Sequence, residues 1–177
     1  MTMPRRAPAG TRARGGWHGL TLIELTIALA VLALLMTMGV PPMAHWLGRH
    51  RLRATAQHLA ADLGEARHEA VRRGQTLHVQ FHTGPDWCYA VALRPDADCR
   101  HPDAQVLKTV SARDHGGVRL VDARPLEIDG RDGNASALRG YGRFASPQGD
   151  ELQVRLLPIG RAGLCAPETA WPDVGRC

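Results

Sequence analysis

The residue in this chain whose chemistry is most out of keeping with its surroundings is a single carboxylate. Glu24 stands just before a run, Leu25 to Val40, that holds no charged residue and only two polar side chains, Thr26 and Thr37. A charge on such a helix costs roughly 2.5–3.5 kcal/mol at the middle of a bilayer, so Glu24 marks a functional position whose partner has to be found. Four cysteines form a second group, Cys88, Cys99, Cys165 and Cys177. Three pairings are open to them. The local one, Cys88–Cys99 with Cys165–Cys177, is preferred because each loop is of a size that a disulfide closes usefully. Bridges of this kind point to an oxidising compartment. The cysteines are not spaced Cys-x-x-Cys and the histidines are scattered, which disfavours zinc.

The remaining candidates are weaker. His78 and His82 share a face of an alternating segment with Gln80, and read as ordinary strand residues. Asp129, Asp132 and Asn134 echo a calcium loop but lack the spacing and closing glutamate of an EF-hand, so they read as a polar turn. Gly-x-Ser-x-Gly, Walker and His-Glu-x-x-His patterns are absent. Neither catalysis nor a cofactor or metal is expected.

The elements that must position these residues follow from the apolar pattern. Residues 1–19 form a short basic leader with Arg5, Arg6, Arg12 and Arg14 and no acid. Residues 20–44 are long and apolar enough to be expected to cross a bilayer core, which takes ~20 residues of helix. Residues 45–73 continue as an amphipathic helix: Leu52, Ala56, Leu59, Leu63, Ala66 and Ala70 recur at spacings of four and three. Arg49, Arg53, Asp62, Glu65, Arg67, Glu69 and Arg72 lie on its other faces, and Gly74 is a natural stop. Between the two halves, Pro41 and Pro42 predict a break, as a kink or a locally melted stretch.

From residue 74 to 177 the pattern changes to short β-like runs at 76–82, 87–93, 105–110, 117–121, 138–144 and 151–157, separated by Gly, Pro and Asp turns. The fold expected is α+β: a long N-terminal transmembrane and amphipathic helix packed on an antiparallel β-rich head.

The formal charge of +5 suggests a polyanion partner, but its distribution argues otherwise. All 17 acidic residues follow Gly19 while four of the 22 basic ones precede it, leaving 18 against 17 beyond the leader.

Gly19-Leu20-Thr21-Leu22-Ile23-Glu24-Leu25 and the apolar residues behind it resemble the class III signal of type IV prepilins and type II secretion pseudopilins. The resemblance implies cleavage by a prepilin peptidase after Gly19, on the cytoplasmic side, with N-methylation of the new terminus, Leu20. It implies that Glu24 pairs with the N-terminal amine of a neighbouring subunit in a filament, each charge satisfying the other in a low-dielectric core. Prolines at this point of the helix are also common in the family.

Residues 49–73, with Arg51-Leu-Arg-Ala-Thr-Ala-Gln57, are similar to the helix of the GspH/FimT minor pilins, and Leu157-Pro-Ile-Gly-Arg-Ala-Gly-Leu-Cys165 resembles their late Gly-Arg motif. Two functions are thereby implied. The first is a subunit that initiates or caps a type IV pilus or secretion pseudopilus. It would partner major and minor pilins and an inner-membrane assembly platform, and would be held by one span with its head in the periplasm before reaching the filament tip. The second is a pilus-tip DNA receptor for natural transformation, using Arg161 and also Arg155 or Arg176. In the FimT-like branch that the chain resembles, a Gly-Arg-x-Arg motif is linked to DNA binding, and here Gly163 stands in the place of its second arginine. The head, with 12 basic and 13 acidic residues from Gly74 onward, adds no general attraction for DNA.

Overall fold

The structure, a computed structural model, describes residues 21–135, 140–168 and 171–177, with side chains throughout these except at 37–42. The chain divides into two units, Met1–Val40 and Pro41–Cys177.

Helix α1 spans Leu22–Arg73. Its start is set by Thr21, whose hydroxyl accepts the Glu24 amide at 3.3 Å, leaving Thr21 as N-cap and Glu24 three places on. In the first unit the apolar side chains are exposed, among them Leu22 at 82%, Ile23 at 67% and Ile27 at 59%. Among the described residues, no helix is long and apolar enough to cross a membrane. That finding does not reach the whole of the expected transmembrane half, 20–44. Its side chains are described only to Met36 and again from Met43, short of the ~20 continuous residues a bilayer core requires. Helical backbone continues through Pro41 and Pro42, so the break expected there is not a melted stretch.

In the second unit, the six apolar positions of the stripe, Leu52 to Ala70, are all buried. The helix stops at Gly74, which takes φ +62° while the Gly74 and Gln75 amides reach back to the carbonyls of Val71 and Ala70.

Two antiparallel sheets surround this spine. One has the order β3-β2-β1-β5, formed by Leu77–His82 (β1), Cys88–Ala92 (β2), Val106–Ser111 (β3) and Leu126–Ile128 (β5). The other has the order β4-β6-β7-β8, formed by Arg119–Arg124 (β4), Tyr141–Ala145 (β6), Glu151–Leu156 (β7) and Ala162–Cys165 (β8). Alternation places Leu77 and Val79 inside on β1, and Leu152, Val154 and Leu156 inside on β7. Strand β2 is buried throughout, because both its faces are covered. Tyr89 and Val91 join the main core, while Cys88 and Ala90 form a small second cluster with Cys99 and Val106. Gly142 of β6 lies close against both the spine and β1. A side chain there would meet Leu59 and Phe81 at 3.1 and 3.3 Å.

Strands β5 and β8 add to those foreseen. The first has three residues directly after Pro125 and the second carries Gly163, so neither shows the run of alternating apolar residues by which strands are recognised.

Candidate functional site

The Glu24 carboxylate lies in the first turn of α1, where the helix dipole favours negative charge. It is exposed and has no hydrogen bond or ion pair among the described residues. Thr21-x-x-Glu24 has the spacing of a capping box, so the same residues that carry the prepilin resemblance also provide a helix-start signal. The reciprocal bond of that box, from the Thr21 amide to the carboxylate, is not among the bonds of the described residues. Gly19 and Leu20 lie outside the described residues.

The four cysteines form Cys88–Cys99 and Cys165–Cys177, with Cα separations of 5.9 and 4.9 Å. The first bridge lies in the small cluster on the outside of β2. The second ties the C-terminus beside the end of β8. There the Ala166 amide donates to the Gly175 carbonyl at 2.9 Å, and the Cys177 amide donates to that of Ala166 at 3.1 Å. Arg53 of α1 holds the same tail through Asp173 at 2.8 Å, and the Arg49 guanidinium lies 4.3 Å from the centre of the Trp171 ring.

The Gly-Arg segment is the hairpin between β7 and β8. The Gly160 amide closes a turn on the Leu157 carbonyl, and the Leu157 amide donates to the Arg161 carbonyl, both at 2.8 Å. Gly160 has φ +73°, and a Cβ there would lie 1.9 Å from the Gly133 carbonyl oxygen. A left-handed backbone and a neighbouring chain thus both demand glycine. Arg161 projects from the hairpin into solvent, Arg155 lies on β7 opposite Gly163, and Arg176 is exposed in the tail. None of the three has an ion pair among the described residues. Gly163 differs from Gly160: its φ is not positive, and a Cβ would meet only Leu157 at an ordinary 3.6 Å.

His78 and His82 are half-buried on β1, and His82 Nε2 is 3.4 Å from Arg100. Among the described residues no three His, Cys, Asp or Glu side chains are grouped to hold a metal ion. The Asp129 and Asp132 carboxylates accept the amides of Arg131 and Asn134, both at 2.8 Å, as turn residues do.

One constellation was not foreseen. Asp62, expected on an outer face of α1, is 3% exposed. Its carboxylate accepts the Tyr89 hydroxyl and the Lys108 ammonium, each at 2.7 Å, and Lys108 also reaches Glu65 at 3.0 Å. Burial, reinforced by the hydrogen bond to Asp62, pushes the Tyr89 phenol far up. The Asp62 bond also raises Lys108. Asp62, Glu65 and Lys108 line a cleft of about 310 Å³ together with Ala66, Leu77 and Leu107. The signal available in the sequence was positional. Gly48, Thr55 and Asp62 stand seven apart along one margin of the stripe, and all three are buried. On the second sheet, Asp122 receives the Tyr141 hydroxyl at 2.6 Å and Arg143 at 3.0 Å, and both hold its carboxyl below the usual range.

A helix that is apolar at its start and amphipathic later, serving there as the spine of a two-sheet antiparallel head, places the chain in the pilin-like class. Two crystal structures of the type IV minor pilin FimU of Pseudomonas aeruginosa (strain PAO1) share this fold. One, in space group P21, aligns with a TM-score of 0.52 at 17% identity, covering 70% of this chain and 97% of FimU. The other, in P65, gives 0.50 and 17%, covering 68% and 100%. None of the curated proteins matches the sequence. The family model for Type II transport protein GspH matches residues 55–160. The chain belongs to the GspH family, that of the GspH/FimT-type minor pilins.

Proposed function

We propose that this chain is a minor pilin that initiates or caps a type IV pilus-like filament, with its head at or near the tip. The observation that carries this reading is Glu24, an exposed carboxylate with no partner among the described residues, at the start of an apolar helix. Its fitting counterpart is the N-terminal amine of a neighbouring subunit, since opposite charges in an apolar core satisfy each other. On this reading prepilin peptidase cuts after Gly19 and methylates Leu20. Before assembly, residues 20–44 lie in the inner membrane with the disulfide-bonded head in the periplasm, and the assembly platform then passes the subunit to other pilins. The paired cysteines and the Gly-Arg hairpin favour a type IV pilus over type II secretion.

The test compares Gly19→Ala and Glu24→Gln in the native host. The first accumulates as an uncleaved precursor in the membrane. The second is processed normally but is missing from sheared filaments. Normal cleavage of the first, or wild-type filament levels of the second, overturns the proposal.

A second reading, a DNA receptor at the pilus tip, is supported by Arg155, Arg161 and Arg176, which have no ion pairs among the described residues around β7, β8 and the tail. Phosphate binding would then weaken steeply with salt and with Arg161→Ala. The full chain in detergent showing no DNA affinity at low salt removes this reading.

A further inference from the structure

We infer that His115 is an acid-sensitive clasp, which holds segment Ser111–Val118 on α1 when neutral and releases it when protonated. This segment connects β3 of one sheet to β4 of the other, so its attachment to the helix fastens both sheets to the spine.

The geometry assigns the neutral form. The Thr55 hydroxyl donates its single proton to the Arg51 carbonyl at 3.0 Å, so at its 3.2 Å contact with His115 it can only accept. His115 therefore carries its proton on Nδ1. Nε2 is buried and has no hydrogen-bond partner among the described residues. The ring stacks on Trp87 with centroids 5.7 Å apart, and Trp87 Nε1 donates to the Val118 carbonyl at 2.8 Å, so one cluster closes both ends of the attachment.

A second proton on Nε2 would make a buried, charged donor with no acceptor. The charged and titratable neighbours do not relieve it. From α1, the His58 ring lies 5.2 Å away and adds like charge when protonated, and Asp62 is engaged by Tyr89 and Lys108. From its own segment, Asp114 is engaged by the amide and hydroxyl of Ser111. Trp87, on the stacked face, carries no charge. Consistently, burial first and His58 second hold the His115 pKa below the ordinary value, against the opposing pull of Asp114 and Asp62. With the folded value depressed, the unfolded chain takes up this proton first as pH falls past about 6.5. The stabilisation is thus present above that pH and fades below it.

The test uses the full chain in detergent micelles with labelled histidine, assigning His115 by its loss in His115→Gln. The expected result is a His115 midpoint below about 6.5. Below it, protection of the Ala112 and Val118 amides, corrected for intrinsic exchange, should drop several-fold in the wild type and not in His115→Gln. A midpoint at or above the ordinary value, or pH-independent protection, overturns the inference. Should His115→Gln fail to fold, His115 is assigned instead by ring-to-ring proximity to Trp87, and His58→Gln on the exposed helix face serves as the variant. It should move the His115 midpoint upward, and an unmoved midpoint removes the proposed repulsion.

Discussion

The Asp62 carboxylate of α1 accepts a hydrogen bond from the Tyr89 hydroxyl of β2 at 2.7 Å, with both side chains buried. Removing either partner alone therefore leaves a buried polar group short of a bond. Tyr89→Phe should cost about 1–3 kcal/mol, and Asp62→Ala more, since it also frees Lys108. Lys108→Ala should cost less than Asp62→Ala, because Lys108 is 37% exposed, but at least as much as Tyr89→Phe, because it strips the cation from the buried Asp62 carboxylate. Urea unfolding midpoints at constant slope check this order, and a Lys108 variant as damaging as Asp62→Ala would contradict it.

Two glycines of the β7–β8 hairpin should respond differently. Gly160→Ala forces a side chain into a left-handed backbone and against the Gly133 carbonyl, so it should lose at least about 1–3 kcal/mol. Gly163→Arg should stay within about 0.5 kcal/mol of wild type, because its position is open and its backbone ordinary. On the DNA-receptor reading, the same arginine supplies a second cation opposite Arg155. Salt-sensitive DNA binding gained in this variant and lacking in the wild type would mark Gly163 as the reason this chain does not bind DNA.

Cys165→Ser opens the bridge to Cys177, which closes a sequence separation of 12 residues. A stability loss of about 2–4 kcal/mol is expected. The tail should then be cut at Arg176 by trypsin well before the core, even though Arg53 still holds Asp173, an exposed pair that contributes little. Equal tail digestion in the oxidised wild type and the variant would contradict this role.

The spine and much of the sheet pattern were legible from the residues in order. The burial of Leu52, Ala56, Leu59, Leu63, Ala66 and Ala70, the stop at Gly74, and alternation on β1 and β7 are local consequences of helix and strand periods. Glu24 was legible for a related reason: one charge beside a long apolar run is visible without knowing any contact. Strands β5 and β8 were not, because three or four residues interrupted by proline or glycine carry too little periodicity, and their pairing with β1 and β7 supplies what their own sequence lacks.

The sequence by itself determined a long helix, a β-rich head and the family, since these depend on composition and spacing along one chain. The tertiary structure decided which polar residues were taken inside. Asp62 finds Tyr89 and Lys108, 27 and 46 residues away, and Thr55 finds His115, 60 residues away. A polar side chain at the margin of an apolar stripe is stable in water or inside, provided its bonds are met. Whether they are met depends on what the other strands bring to that margin, and no local pattern in the helix records it.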